Sequence, residues 1–333
     1  MRARTPDLLK GIAVILMIMV HITELFATQG FYDSIIGGIF LFLGGIPAAP
    51  VFMAVMGYYL ARTNKGLIFD LIRGFKLLVW GFALNIGLNL NLFYHIYIGA
   101  FILSPWEYLF GVDILFLAGL SVIIIALLKH FFKKNVWVYV ITLLLIISIP
   151  LFFLPPKTEG LHSYLTAYFY SDAWWSYFPV IPWLSYVLLG FIFNLKEQRL
   201  LKFYKANKWY IIPEIVILLA FTFGYGFEIS AHLEQYYHHS ALFFGFAVLF
   251  IALWSSLVYQ LAQRINNRLT NYIEWIGKNV TSIYVFQWLI IGNLATIIYK
   301  TQQGYTLLLW FITVLVLSSV LTFVWRTLME KRQ

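Results

Sequence analysis

Apolar runs of about 20 residues recur from one end of this chain to the other. That recurrence constrains the fold more than any other feature. At about 1.5 Å per residue, a helix needs roughly 20 such residues to cross a hydrocarbon layer about 30 Å thick. Ten candidate spans can be read, at about 8–28, 36–61, 70–92, 108–129, 136–154, 177–195, 209–227, 240–263, 279–299 and 305–328. An outer-membrane barrel would show shorter segments, about 10 residues each, with alternating polarity. Only 11% of the residues are charged and 62% are apolar, whereas a soluble domain has about 25% charged residues. The expected architecture is all-α: a polytopic membrane protein of about ten transmembrane helices, forming one domain over residues 1–333.

The net charge of +9 invites a nucleic-acid reading, but its distribution argues against one. With ten spans both termini share one side. If that side is cytoplasmic, inner ends and loops receive 21 of the 23 Lys and Arg residues, the terminal Arg2, Lys331 and Arg332 included. Only Lys157 and Lys300 fall outside. Such asymmetry is the positive-inside pattern of membrane proteins. The outer segments are acidic and aromatic instead, with Asp33, Glu107, Glu159, Asp172, Glu228 and Glu234. Cysteine is absent, which excludes disulfides, thiolate metal sites and thiol nucleophiles. The stretch HLEQYYHH (232–239) lacks the spacing of a zinc-binding helix, and no metal is expected.

The first span, DLLKGIAVILMIMVHITELF (7–26), is unusual in its polar residues. Helical geometry places Lys10 and His21 within roughly 20° of each other, eleven residues apart. Asp7 lies three before Lys10 and Glu24 three after His21, so all four share a stripe. Ionisable side chains are expensive in a bilayer and normally face protein or a wet cavity. A neutral imidazole at His21 can accept a proton from a hydroxyl or amine, with Glu24 orienting the ring or receiving that proton. The alternative is a histidine that merely hydrogen-bonds neighbouring helices. Asp7 and Lys10 also admit a simpler reading, as a helix cap and as inner positive charge.

Further candidates follow along the chain. Pro47, Pro50 and Gly57 suggest a bent or broken second span. Arg62, Arg73 and Lys76 at its inner side suit either the phosphates of a nucleotide-like donor or anionic lipid headgroups. Asn85 and Asn89 share one helix face, as pocket lining or as amide glue. Asp113 suits sugar binding or proton handling. Pro179 and Pro182 bend the start of the sixth span, where Trp183 offers an aromatic wall for a sugar or an interface anchor. Gln287 is a polar side chain at lipid depth and should face protein.

Several of these stretches together resemble the transmembrane acyltransferases: the acyltransferase-3 family and its relatives of the heparan-α-glucosaminide N-acetyltransferase type. The opening RTPDLLKGIAVILMIMVHITELF is similar to the first acyltransferase-3 helix, with Asp7, Leu9-Lys10-Gly11 and the Lys10-x10-His21 spacing; Lys10 stands where arginine is usual. PVFMAVMGYYLART, FPVIPWLSYVLLGF and WIGKNVTSIYVFQW resemble later helices. Gln287 departs from the family, which commonly has histidine there. The heparan enzyme carries asparagine where His21 stands, so acyltransferase-3 is the better match.

The resemblance implies transfer of an acyl group, usually acetyl from acetyl-CoA, to a carbohydrate or glycolipid across the membrane. It makes His21 the catalytic residue and Lys10 a donor contact, with Arg62, Arg73 and Lys76 as further donor contacts. Asp113, Trp183, Asn85 and Gln287 are the expected substrate-side residues. The expected location is an inner (plasma) membrane of bacterial type. Membrane lipids are expected partners and nucleic acid is not; homo-oligomerisation is left open. The competing class is a secondary transporter of a small polar or anionic solute, which also uses broken helices and buried charges. A transporter would show paired interruptions in two repeated halves, and the spans after residue 195 carry few internal charges.

Overall fold

The computed structural model describes residues 4–156 and 160–330. Arg2, Lys157, Glu159, Lys331 and Arg332, which entered the charge balance, lie outside the described residues. In chain order the helices are α1 (Arg4–Phe26), α2 (Gln29–Tyr32), α3 (Ile35–Gly45), α4 (Ala49–Arg62), α5 (Leu67–Leu88), α6 (Leu90–Tyr97), α7 (Pro105–Leu109), α8 (Ile114–Phe132) and α9 (Val136–Phe152). They continue with α10 (His162–Thr166), α11 (Val180–Leu195), α12 (Glu197–Ala231), α13 (Leu233–Tyr237), α14 (Ala241–Arg264), α15 (Arg268–Lys278), α16 (Val280–Ile298) and α17 (Tyr305–Glu330). Among the described residues the extended structure is limited to one isolated parallel bridge, Ala27 with Gln302. The protein is an all-α polytopic membrane protein.

Among the described residues seven segments are long and apolar enough to cross a membrane: α1, α3 with α4, α8, α12, α14, α16 and α17. The shorter apolar helices α9 and α11 and the 22-residue α5 occupy the other three predicted positions. Local chemistry sets the ends. Ser34, Asp113 and Asn135 accept backbone N–H groups at the starts of α3, α8 and α9, satisfying donors that helix geometry leaves unpaired. The second predicted span breaks at Ile46–Ala48, between α3 and α4. Ile181 has extended torsions, so regular helix in α11 begins at Pro182.

Two boundaries differ from the sequence reading. The charged stretch before residue 209 is helical, because α12 runs 35 residues without a break, Pro213 included. It spans about 52 Å at 1.5 Å per residue, well beyond a hydrocarbon layer. The segment before the ninth span is also a helix, the amphipathic α15, opened by a reciprocal Asn267–Thr270 capping box.

The chain falls into two compact units, each built from separated segments. The first comprises Met1–Ala49, Leu84–Pro105 and Trp254–Gln333. Here α15 crosses the opening turns of α1 with backbones in contact: a Cβ on Gly11 would collide with the Ile273 carbonyl, and one on Gly277 with the Asp7 carbonyl. Arg4 fastens the crossing through Glu274, Thr270 Oγ1 and the Ala262 carbonyl. Only glycine permits such an approach.

The second unit comprises Pro50–Ala83 and Trp106–Leu253. Gly57 of α4 meets the Val187 carbonyl and Gly190 of α11 meets the Ala54 carbonyl. This is close packing of small residues, the usual way membrane helices gain contact. Gly57 therefore serves a helix crossing, and the break in the second span falls at Ile46–Ala48, around Pro47.

Candidate active site

The polar stripe of α1 lies within the first unit. Lys10 Nζ is 2.9 Å from Asp7 Oδ1, and the Asp7 side chain is buried. The i, i+3 spacing thus forms an ion pair at the start of the helix. His21 stands about 16 Å further along the axis, at 1.5 Å per residue. It is 9% exposed. Its ring lies against Trp288, with centroids 4.1 Å apart and planes tilted by 35°. Its Nδ1 is 3.5 Å from the amide nitrogen of Gln287, a residue with no exposed surface. Both partners come from α16.

Two buried polar atoms beside this ring lack hydrogen-bond partners among the described residues: Gln287 Oε1 and Trp288 Nε1. Buried donors and acceptors in folded proteins are nearly always satisfied, and each unsatisfied one costs about 1–3 kcal/mol. One acceptor and one donor next to a buried imidazole thus retain hydrogen-bonding capacity for a further polar group.

Glu24 is partly buried one turn beyond His21 and feels the charge of Lys300. Lys300 Nζ donates to Gln29 Oε1 at 2.9 Å and lies 5.6 Å from the ring centres of Tyr32 and Tyr299. Its backbone N–H donates to the Leu25 carbonyl at 2.9 Å. With Gln302 bonded to Phe26 and Thr28, the loop after α16 clamps the end of α1. Burial, and then the negative charge of Glu24 and Asp33, pushes the phenol of Tyr32 up to about 12. Trp288, Lys300 and the clamp were not singled out from sequence. Trp288 is the direct neighbour of Gln287, and Lys300 is the one outer basic residue among the described residues.

Asn85 is also in the first unit and buried. Its backbone carbonyl accepts from Asn89 Nδ2 at 2.9 Å. Nearby, Asn293 bonds Asn91 through both backbone and side chain, and its amide donates to the Gly87 carbonyl. These amides hold the end of α5 and the start of α6 to α16.

The other candidates belong to the second unit. Arg62 is committed to Glu197, with Nη2 to Oε2 at 3.0 Å, and its guanidinium lies 4.6 Å from the Tyr58 ring centre. Arg73 and Lys76 are exposed and line a shallow depression of about 260 Å³ with Phe69, Leu77 and Trp80. Asp113 caps α8, accepting from the Leu115 N–H at 2.8 Å. Trp183 is fully buried: its Nε1 donates to the Tyr237 carbonyl at 2.8 Å, and Phe178, Tyr186, Tyr236 and His239 pack around it. It is neither an open sugar wall nor an interface anchor, because a ring enclosed on this scale has no free face. The sequence motif located the helix but could not reveal that the loop over 232–239 covers it.

The acyltransferase-3 family model, described as an acyltransferase domain, matches residues 4–329. The chain belongs to the acyltransferase-3 family. No curated protein and no solved structure matches it significantly. As a membrane acyltransferase of this family, the protein needs a group able to move a proton where an acyl group changes hands. In its first unit α16 packs beside α1, and His21 is flanked by polar atoms without hydrogen-bond partners among the described residues.

Proposed function

We propose that this acyltransferase moves an acetyl group from cytoplasmic acetyl-CoA to a carbohydrate hydroxyl or amine on the extracytoplasmic side. The observation that carries the reading is His21, buried in the first helix of an acyltransferase-3 chain, beside two unsatisfied polar atoms and on the same stripe as Lys10. In this reading His21 accepts the proton of the attacking hydroxyl or amine. The acceptor oxygen or nitrogen forms its bond to the thioester carbonyl carbon, the carbon–sulfur bond breaks, and the departing thiolate takes up the proton. An acetyl-histidine intermediate gives the same net balance in two steps. Glu24 is assigned to the acceptor side. Lys10 is assigned to the donor, as are Arg73 and Lys76, whose exposed charges match phosphate chemistry. Arg62 is held by Glu197 and is the weaker donor candidate. The location that follows is an inner (plasma) membrane of bacterial type.

Purified protein in proteoliposomes, given radiolabelled acetyl-CoA on one side and hydroxyl- or amine-bearing sugars on the other, should label the sugar. Solute uptake without acetyl-CoA turnover would overturn the reading in favour of transport. Arg73→Ala with Lys76→Ala should raise KM for acetyl-CoA severalfold at unchanged kcat; an unchanged KM would remove both residues from the donor site.

A further inference from the structure

Gln287 stands next to His21, and its amide is half unsatisfied. As placed, the amide nitrogen faces His21 Nδ1 at 3.5 Å while Oε1 is buried without a partner among the described residues. The two ends of a primary amide are nearly the same size, so hydrogen bonding decides which end faces a neighbour. With nitrogen toward the ring, Nδ1 must act as acceptor. A neutral imidazole then carries its hydrogen on Nε2, and the remaining nitrogen has no lone pair to offer a substrate. With oxygen toward the ring, Nδ1–H donates to Oε1. The acceptor then meets a donor, the amide nitrogen takes the buried place that Oε1 held, and the Nε2 lone pair is released.

The geometry points to Gln287 as a positioning residue that presents Oε1 to His21 Nδ1–H and so holds the imidazole in the tautomer whose basic nitrogen is Nε2. Trp288 completes the arrangement, because its ring lies 4.1 Å from the imidazole centroid and limits rotation of the plane. The proton taken from the acceptor enters at Nε2 and leaves from it to the thiolate; the Nδ1 hydrogen stays on the imidazole, donated to Gln287 Oε1 throughout. Glutamine also differs from the carboxylate of a hydrolase triad. It selects the tautomer but brings no charge to stabilise an imidazolium, so the proton is only briefly held. Glu24, one turn along the same helix, is not the group bonded to Nδ1.

The inference rests on His21 being the base, yet its first test does not depend on turnover. Protein labelled with ¹⁵N-histidine in nanodiscs, with His21 assigned by comparison with His21→Ala, should show protonated Nδ1 and unprotonated Nε2 at neutral pH. The reverse pattern overturns the proposal even in a fully active enzyme. Gln287→Leu should abolish the tautomer preference and lower kcat by about tenfold or more with KM for acetyl-CoA unchanged. Gln287→Glu retains an acceptor oxygen and should keep the wild-type tautomer, which separates loss of the hydrogen bond from disturbed packing. A Gln287→Leu protein with the wild-type tautomer and kcat overturns the proposal. A His21→Ala protein with full activity overturns the base reading instead, whatever the tautomer.

Discussion

The two units of this protein each bury a histidine, and the contrast between them separates chemistry from packing. In the second unit His239 is 2% exposed and satisfied at both nitrogens, with Nε2 3.0 Å from Tyr186 Oη and Nδ1 2.8 Å from the Tyr236 carbonyl. Trp183, Tyr186, Tyr236 and Phe243 enclose its ring. In the first unit His21 is buried to a similar degree, but its one hydrogen bond among the described residues is long and its neighbours carry orphan polar atoms. Burial alone therefore does not mark a reactive imidazole. What differs is the completeness of the hydrogen-bond shell: full satisfaction fixes a side chain, whereas unmet donors and acceptors leave capacity for a substrate.

The largest effect should come from His21. Replacing it with Ala should lower kcat by about 10²–10⁴-fold, the usual share of a general base, while the melting temperature changes little. Full acetyl transfer by the folded variant would erase the distinction between the two histidines. His239→Ala should show the inverse pattern. It leaves Tyr186 and Tyr236 without their imidazole partner inside an aromatic shell, a loss of roughly 2–4 kcal/mol, while turnover per folded molecule stays within about twofold. Thermal unfolding in detergent, paired with acetyl transfer, reads both.

Acid should sharpen the same comparison. Burial holds the His239 imidazole down at about 4, from an ordinary value of 6.5. Between those limits the unfolded chain binds a proton that the folded chain refuses, so this contribution to stability falls as pH drops from about 6.5 to about 4. The full loss is about 3 kcal/mol at 1.36 kcal/mol per pH unit. His239→Gln should flatten that part of the profile. An unchanged acid slope in this variant would show that His239 titrates normally and is not sealed.

Sequence placed the candidate residues of the first unit better than those of the second, for a physical reason. Helical periodicity is exact enough to align Asp7, Lys10, His21 and Glu24, and a buried ionisable stripe within one helix needs no tertiary knowledge. Gln287 was also recognisable as a protein-facing polar residue, although its partner was not, because α1 and α16 lie more than 250 positions apart in the chain. The ten apolar runs likewise located eleven helices among the described residues, α3 and α4 sharing the second run. Trp183 shows where this stops. Its covering comes from residues 236–239, brought over by α13 and the turn after it, and no local pattern encodes that return. The helicity of residues 197–208 was missed because polarity reads as loop, whereas helix continuation depends on the absence of breakers.

Asp113 offers the smallest and most discriminating test of the contrast. It is a carboxylate in the second unit that sequence assigned to sugar binding or proton handling, and its geometry is that of an N-cap. A cap needs only an acceptor oxygen, and asparagine ranks with aspartate at this position. Asp113→Asn should therefore change stability by less than about 0.5 kcal/mol and leave acetyl transfer unaltered, whereas Asp113→Ala should cost about 1 kcal/mol. A sugar-binding or proton-transferring carboxylate would behave differently, since asparagine carries neither charge nor a titratable proton. A severalfold rise in acceptor KM, or a fall in kcat, for the stable Asp113→Asn protein would extend chemistry into the second unit. Unaltered kinetics with the Ala variant merely less stable would keep Asp113, like His239, among the groups that hold the scaffold.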